Sequence, residues 1–140
     1  MGTIPFSDWL SICEGKAKYC RLLDSKDWAG FAALVTDDFE MDISDGSDVP
    51  PFKGRDAALE MIRSSIETAK TAHHVHSPEM TLESPSRVKV IWAMQDRVVF
   101  NEQLSVIGYG NYHEVWVRQD DQWKLASLKL TRFMLDVQGG

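Results

Sequence analysis

Three of the chain's four histidines fall within the stretch His73-His74-Val75-His76. Imidazole is the side chain whose ordinary pKa lies near neutrality, so it suits proton transfer at physiological pH. A working base also needs a carboxylate to fix its tautomer and orientation. Two aspartates stand where they can serve: Asp24, where the first helical stretch stops, and Asp96, on the strand after the histidines. Neighbouring strands bring side chains within about 5–8 Å, so Asp96 can flank the histidine strand. Tyr19 lies on roughly the same side of the first helix as Asp24 and offers a phenolic hydroxyl. Adjacent His73 and His74 point to opposite faces of a regular strand. His74 and His76 share a face and offer two zinc ligands, but there is no cysteine pair and no obvious third ligand. We expect His73 to act as acid or base, His74 and His76 to be structural, and no metal to be held.

The elements that must position these groups follow from periodicity. Upstream of the histidines the apolar residues recur at helical spacing; downstream they alternate. Ser7 and Asp8 read as a helix start with Pro5 just outside, and Trp9, Ile12, Cys13, Cys20 and Leu23 share a face to about Asp24. Ser25 can cap a short second helix from Lys26 to about Val35. Phe39, Met41 and Ile43 alternate as a half-buried strand, and residues 45–51 are a loop by composition. A third helix follows Gly54, with Leu59, Ile62, Ile66 and Ala69 as its stripe. The histidines open a strand, Ser84-Pro85-Ser86 turns it, and Val88 to Phe100 returns. Leu104 to Gln119 and Trp123 to Leu135 are long strands joined by Asp120-Asp121. Helices early and a meander late predict an α+β fold, with helices on one face of a curved sheet.

Bulk properties exclude several roles. A chain of 140 residues is read as one domain able to hold a core and a cavity. A formal net charge of −6 argues against nucleic acid, whose binding rests on basic patches. No apolar run is long enough to span a membrane, and the N-terminal residues lack a basic start and an apolar region. Cys13 and Cys20 on one helix stand about 10 Å apart along its axis, too far to bridge. Two unpaired thiols suit a reducing compartment, so we expect a cytoplasmic protein. Ile91 and Ala93, between the apolar Val90, Trp92 and Met94, suggest a strand covered on both faces. A second subunit is the natural outer cover, and we expect a homodimer or homotrimer.

The run Leu23-Asp24-Ser25-Lys26-Asp27-Trp28 and the run Thr71-Ala72-His73-His74, in this element order, resemble the SnoaL-like branch of the nuclear transport factor 2-like superfamily. The resemblance covers nearly the whole chain. It is strongest to scytalone dehydratase-like and bile acid 7α-dehydratase-like enzymes, and extends to hexachlorocyclohexane dehydrochlorinase. It implies a cone-shaped fold, three N-terminal helices on a strongly curved, mixed but mostly antiparallel sheet, with a pocket at the open end. It implies a dyad of Asp24 and His73, a Tyr matching Tyr19, and a second Asp matching Asp96. The chain lacks a further histidine that scytalone dehydratase carries on the strand of Asp96. That enzyme's polar pair on the next strand has only Asn111, Tyr112 and His113 as nearby substitutes.

From this we expect a cofactor-independent dehydratase acting on a hydrophobic, ring-containing hydroxy-ketone such as a polyketide or steroid. A cyclase or isomerase using the same dyad is the alternative, and a non-catalytic binding or dimerisation module a third. Candidate walls are Trp9, Phe31, Phe39, Trp92, Tyr109, Tyr112, Trp116 and Phe133. The expected substrate contacts are Tyr112, Asn111, Trp92, Phe39 and Arg132, the last placed to meet a carboxylate or phenolate. Such a lining suits a rigid ring system.

Overall fold

The computed structural model describes residues 2–139. Helix α1 (Phe6–Asp24) buries Ile12, Lys16, Tyr19, Cys20 and Leu23, one continuous stripe. Pro5 stands at its N-cap and its carbonyl accepts from the amides of Asp8 and Trp9, both at 3.0 Å. At the other end the Lys26 amide donates to Leu23 and the Asp27 amide to Leu22, at 3.2 and 2.9 Å, with Lys26 left-handed at φ 62°. That pair of bonds is a Schellman closure, and it stops the helix with Asp24 as its last residue.

Helix α2 (Trp28–Ala32) is shorter than the expected span from Lys26 to Val35. The left-handed Lys26 cannot open a helix, and the side chain of Asp27, not Ser25, caps it by accepting from Gly30 N at 2.9 Å. Val35 instead starts β1 (Val35–Asp42), four residues earlier than alternation alone suggested. The two-residue strand β2 (Phe52–Lys53) was not anticipated; it pairs with Glu40 and Met41 across the loop. Helix α3 (Arg55–Ile66) ends before Ala69, which is buried beyond its last turn.

Strands β3 (Lys70–Ser84), β4 (Arg87–Val99), β5 (Leu104–Gln119) and β6 (Gln122–Gly139) form the expected antiparallel meander. Asp120 and Asp121 both take positive φ in the two-residue turn between β5 and β6, the geometry that matches the twist of paired strands. The sheet is mixed and not closed, in the order β2-β1-β6-β5-β4-β3, with β1 parallel to β6. It curves around the three helices as a cone. Alternation puts Val88, Val90, Trp92, Met94, Asp96 and Val98 of β4 on the inner face. The core between helices and sheet is sealed by Phe31, Val35, Phe39, Trp116, Leu125 and Leu128, each at most 2% exposed. Each such side chain contributes about 1.5–3 kcal/mol through burial. Cys13 and Cys20 are unpaired. No helix among the described residues is long and apolar enough to cross a membrane.

Candidate active site

The Schellman closure of α1 and the fourth residue of β3 bring two side chains together. His73 Nδ1 lies 2.7 Å from Asp24 Oδ1, and the His73 amide donates to Asp24 Oδ2 at 2.9 Å. The Thr71 hydroxyl also donates to Asp24 Oδ1 at 2.9 Å and accepts from Lys26 Nζ at 2.7 Å. Burial pushes the Asp24 carboxyl up, but the hydrogen bonds from the His73 ring, the His73 amide and Thr71 outweigh it. They hold Asp24 below the usual carboxylate range. An ionised Asp24 fixes the tautomer: Nδ1 carries the proton, and Nε2 is the nitrogen left for chemistry. No protein group hydrogen-bonds Nε2 among the described residues.

The sign of the Asp24 shift gives a testable pH dependence. A carboxyl lowered in the fold contributes stability that is present above its unfolded pKa of about 3.9. That contribution is lost as pH falls through the lower folded value. In urea titrations Asp24→Asn is therefore expected to be less stable than the parent at pH 7. The two should converge as the pH drops below about 4. A gap that persists undiminished at acid pH refutes the assignment.

A cavity of about 210 Å³ opens beside this pair. His73, Asp96, Tyr19, Tyr112 and Arg132 line it together with Leu23, Met41, Met61, Ile62, Leu128 and Leu130. Tyr19 and Tyr112 approach edge-on, with ring centroids 6.3 Å apart. Burial pushes both phenols well above their ordinary pKa, reinforced at Tyr19 by the neighbouring Tyr112 and at Tyr112 by the Asp96 carboxylate, so both hydroxyls stay protonated as donors. Asp96 is paired with His73 in the β3–β4 register and is 4% exposed. Both its oxygens accept from Arg132, Nη1 to Oδ1 and Nη2 to Oδ2, each at 2.9 Å. The fork lies over Gly108, where an added Cβ would overlap the guanidinium and the Asp96 carboxylate. Gly108→Ala is therefore expected to break the fork and cost about 1–3 kcal/mol in thermal stability. Full retention of stability and of the ion pair in a crystal structure of that variant counts against this account.

The remaining expected contacts lie elsewhere. Asn111 is on the opposite face of β5 from Tyr112, and its amide donates to the Trp92 carbonyl at 3.2 Å. Trp92 faces inward but gives its indole N–H to Glu114 Oε1 at 2.8 Å. Phe39 is sealed in the core at 1% exposure, and Phe133 is 78% exposed. His74 and His76 are not buried, and His76 Nδ1 lies 2.9 Å from the Ser77 hydroxyl. No cluster of metal-ligating side chains occurs among the described residues. Thr71 and Lys26, which brace Asp24, were missed. So was a buried ion pair of Lys16 and Glu114. Its signal was available: Lys16 sits in the apolar stripe Ile12, Tyr19, Leu23, and Glu114 has the same strand parity as Tyr112 and Trp116.

A cone of three helices in a curved mixed sheet, with a carboxylate–imidazole pair at its cavity, defines a class. Residues 6–129 match the model of the SnoaL-like domain, and the chain belongs to that family. It is 27% identical over 132 residues to the Gibberella zeae protein named "Probable cyclase FGR4", covering 86% of this chain and 88% of that one. Among solved structures, a scytalone dehydratase-like protein of Novosphingobium aromaticivorans superposes with a TM-score of 0.85 at 23% identity, covering 94% of this chain and 87% of that chain. A type 3 hexachlorocyclohexane dehydrochlorinase of Novosphingobium barchaimii gives 0.81 at 17% identity, covering 96% and 92%. At these identities the two structures speak for the fold.

Proposed function

We propose that this protein is an acid–base lyase that dehydrates a hydrophobic, ring-containing hydroxy-ketone. The observation that carries the reading is the Asp24–His73 pair beside a cavity whose wall also holds Tyr19 and Tyr112. His73 Nε2 takes the proton from the carbon next to the carbonyl. The electron pair moves into the carbonyl, whose oxygen becomes an enolate held by the hydroxyl of Tyr19 or Tyr112. Asp24 stabilises the imidazolium, since an opposite charge within about 4–6 Å favours the charged form. The enolate then expels the β-hydroxyl, which takes the proton back from His73 and leaves as water. Arg132, fixed by Asp96, stands at the cavity to meet a carboxylate or phenolate of the substrate. The apolar lining selects a ring system. The reading needs no cofactor.

Incubation with a panel of hydroxy-ketone polyketides and steroids, followed by mass spectrometry, tests it. A product lighter by one water supports dehydration. The cyclase or isomerase reading, favoured by the name of the Gibberella zeae relative, predicts enolisation with no loss of mass. Absence of both products across the panel leaves only ligand binding. We further propose that copies of the chain associate, because Phe133, Met134, Leu135 and Val137 of β6 are each 47% exposed or more. Light scattering that shows a clean monomer overturns this.

A further inference from the structure

Behind the cavity wall lies a charge that the chemistry above does not use. Lys16 projects from the buried face of α1 and Glu114 from the inner face of β5, and both side chains are 0% exposed. Lys16 Nζ donates to Glu114 Oε2. Glu114 Oε1 accepts from the indoles of Trp92 and Trp116 at 2.8 and 2.9 Å. The same ammonium stands 3.6 Å from the ring centroid of Tyr19 and 3.9 Å from that of Tyr112. Burying two ions is costly, and an apolar pair of similar volume often serves stability as well or better. Stability is thus a weak reason for this pair. Its location offers a better one, because it lies on the faces of both tyrosines that line the cavity.

We infer that Lys16 is a positioning residue for the cavity. Clamped by Glu114 and two indoles, its ammonium holds the Tyr19 and Tyr112 rings and sets a fixed positive charge behind them, so that the cavity selects ligands presenting an anionic oxygen, phenolates and enolates. A cation over a ring face is attracted by its π density and fixes the ring against it. A positive charge within a few ångströms also favours negative charge on an oxygen that accepts from the phenol. The inference rests on the proposed role of the two hydroxyls as donors to the substrate oxygen. It adds the residue that tunes them and the ligand class that results.

The test uses substituted phenols and naphthols of graded acidity as probes, with affinities measured by tryptophan quenching at pH 7. Wild-type protein is expected to bind the most acidic probe about tenfold or more tightly than the least acidic. The double variant K16M/E114Q is neutral and keeps an acceptor for the two indoles, so it is expected to fold. There the dependence on acidity weakens to what Arg132 alone supplies while binding persists. An unchanged dependence in the folded double variant overturns the inference, and so does a wild-type series with no dependence on acidity. Should the double variant fail to fold, wild-type protein with 13C-labelled lysine decides. A Lys16 Cε resonance at the position of an ammonium at pH 7 supports the inference, and one at the position of a neutral amine overturns it. Dehydration of hydroxy-ketones, measured separately, keeps the two readings apart. A phenol series that behaves as expected stands even if no hydroxy-ketone turns over, and turnover with a flat series removes Lys16 alone.

Discussion

His73→Ala is expected to lower turnover by about 10²–10⁴-fold, the usual contribution of one general acid–base group, and to leave the fold intact. The fold survives because Asp24 keeps two of its donors, the backbone amide of residue 73 and the Thr71 hydroxyl. Its side chain is also 25% exposed, so water can replace the lost imidazole contact. Circular dichroism and thermal melting check the fold. Turnover of whichever hydroxy-ketone the panel yields checks the chemistry. Because His73 acts in the proton transfer, kcat should fall by far more than KM rises. An unchanged rate in the folded variant takes His73 out of the mechanism.

The largest effect on stability is expected at Glu114. Glu114→Ala strips the buried Lys16 ammonium of its counter-ion and leaves the indole N–H groups of Trp92 and Trp116 without their acceptor. Removing one partner of a buried ion pair costs about 3–5 kcal/mol, because the survivor stays charged in a medium that does not solvate it. In a domain of this size that is a fall in Tm of roughly 10–20 °C. The loss should shrink strongly when Lys16→Met is added, since the stranded charge is then gone. A Glu114→Ala variant that melts like the parent shows that water already reaches the cluster.

The meander was the easiest part to read. The expected strand Leu104 to Gln119 has those bounds as β5, and burial alternates through its middle, from Gly108 to Val117. The boundaries that failed were those set by single bonds. The side chain of Asp27, placed after a left-handed Lys26, starts α2, and no periodicity registers a cap of that kind. Strand β2 is two residues long and is defined by its partner, so it had no pattern of its own. The meeting of Asp24 and His73 was proposed from the resemblance, because helix periodicity says nothing about which strand a helix end will face. The Lys16–Glu114 pair was missed for the opposite reason. A lysine in a helix and a glutamate in a strand are by habit placed in water, yet each occupied an inward position in its own element.

Strand β6 sits between β1 and β5, the first and fifth strands to appear in the chain. Without β6 the remaining strands fall into two sets with no pairing between them, β1 with β2 and the β3–β4–β5 meander. The last strand is the keystone that joins them. It also delivers Arg132, so the cavity acquires its only lining cation among the described residues at that final docking step. Pairings between such distant segments form slowly, and the enclosure can hold a guest only once β6 has been made and has docked between its two neighbours.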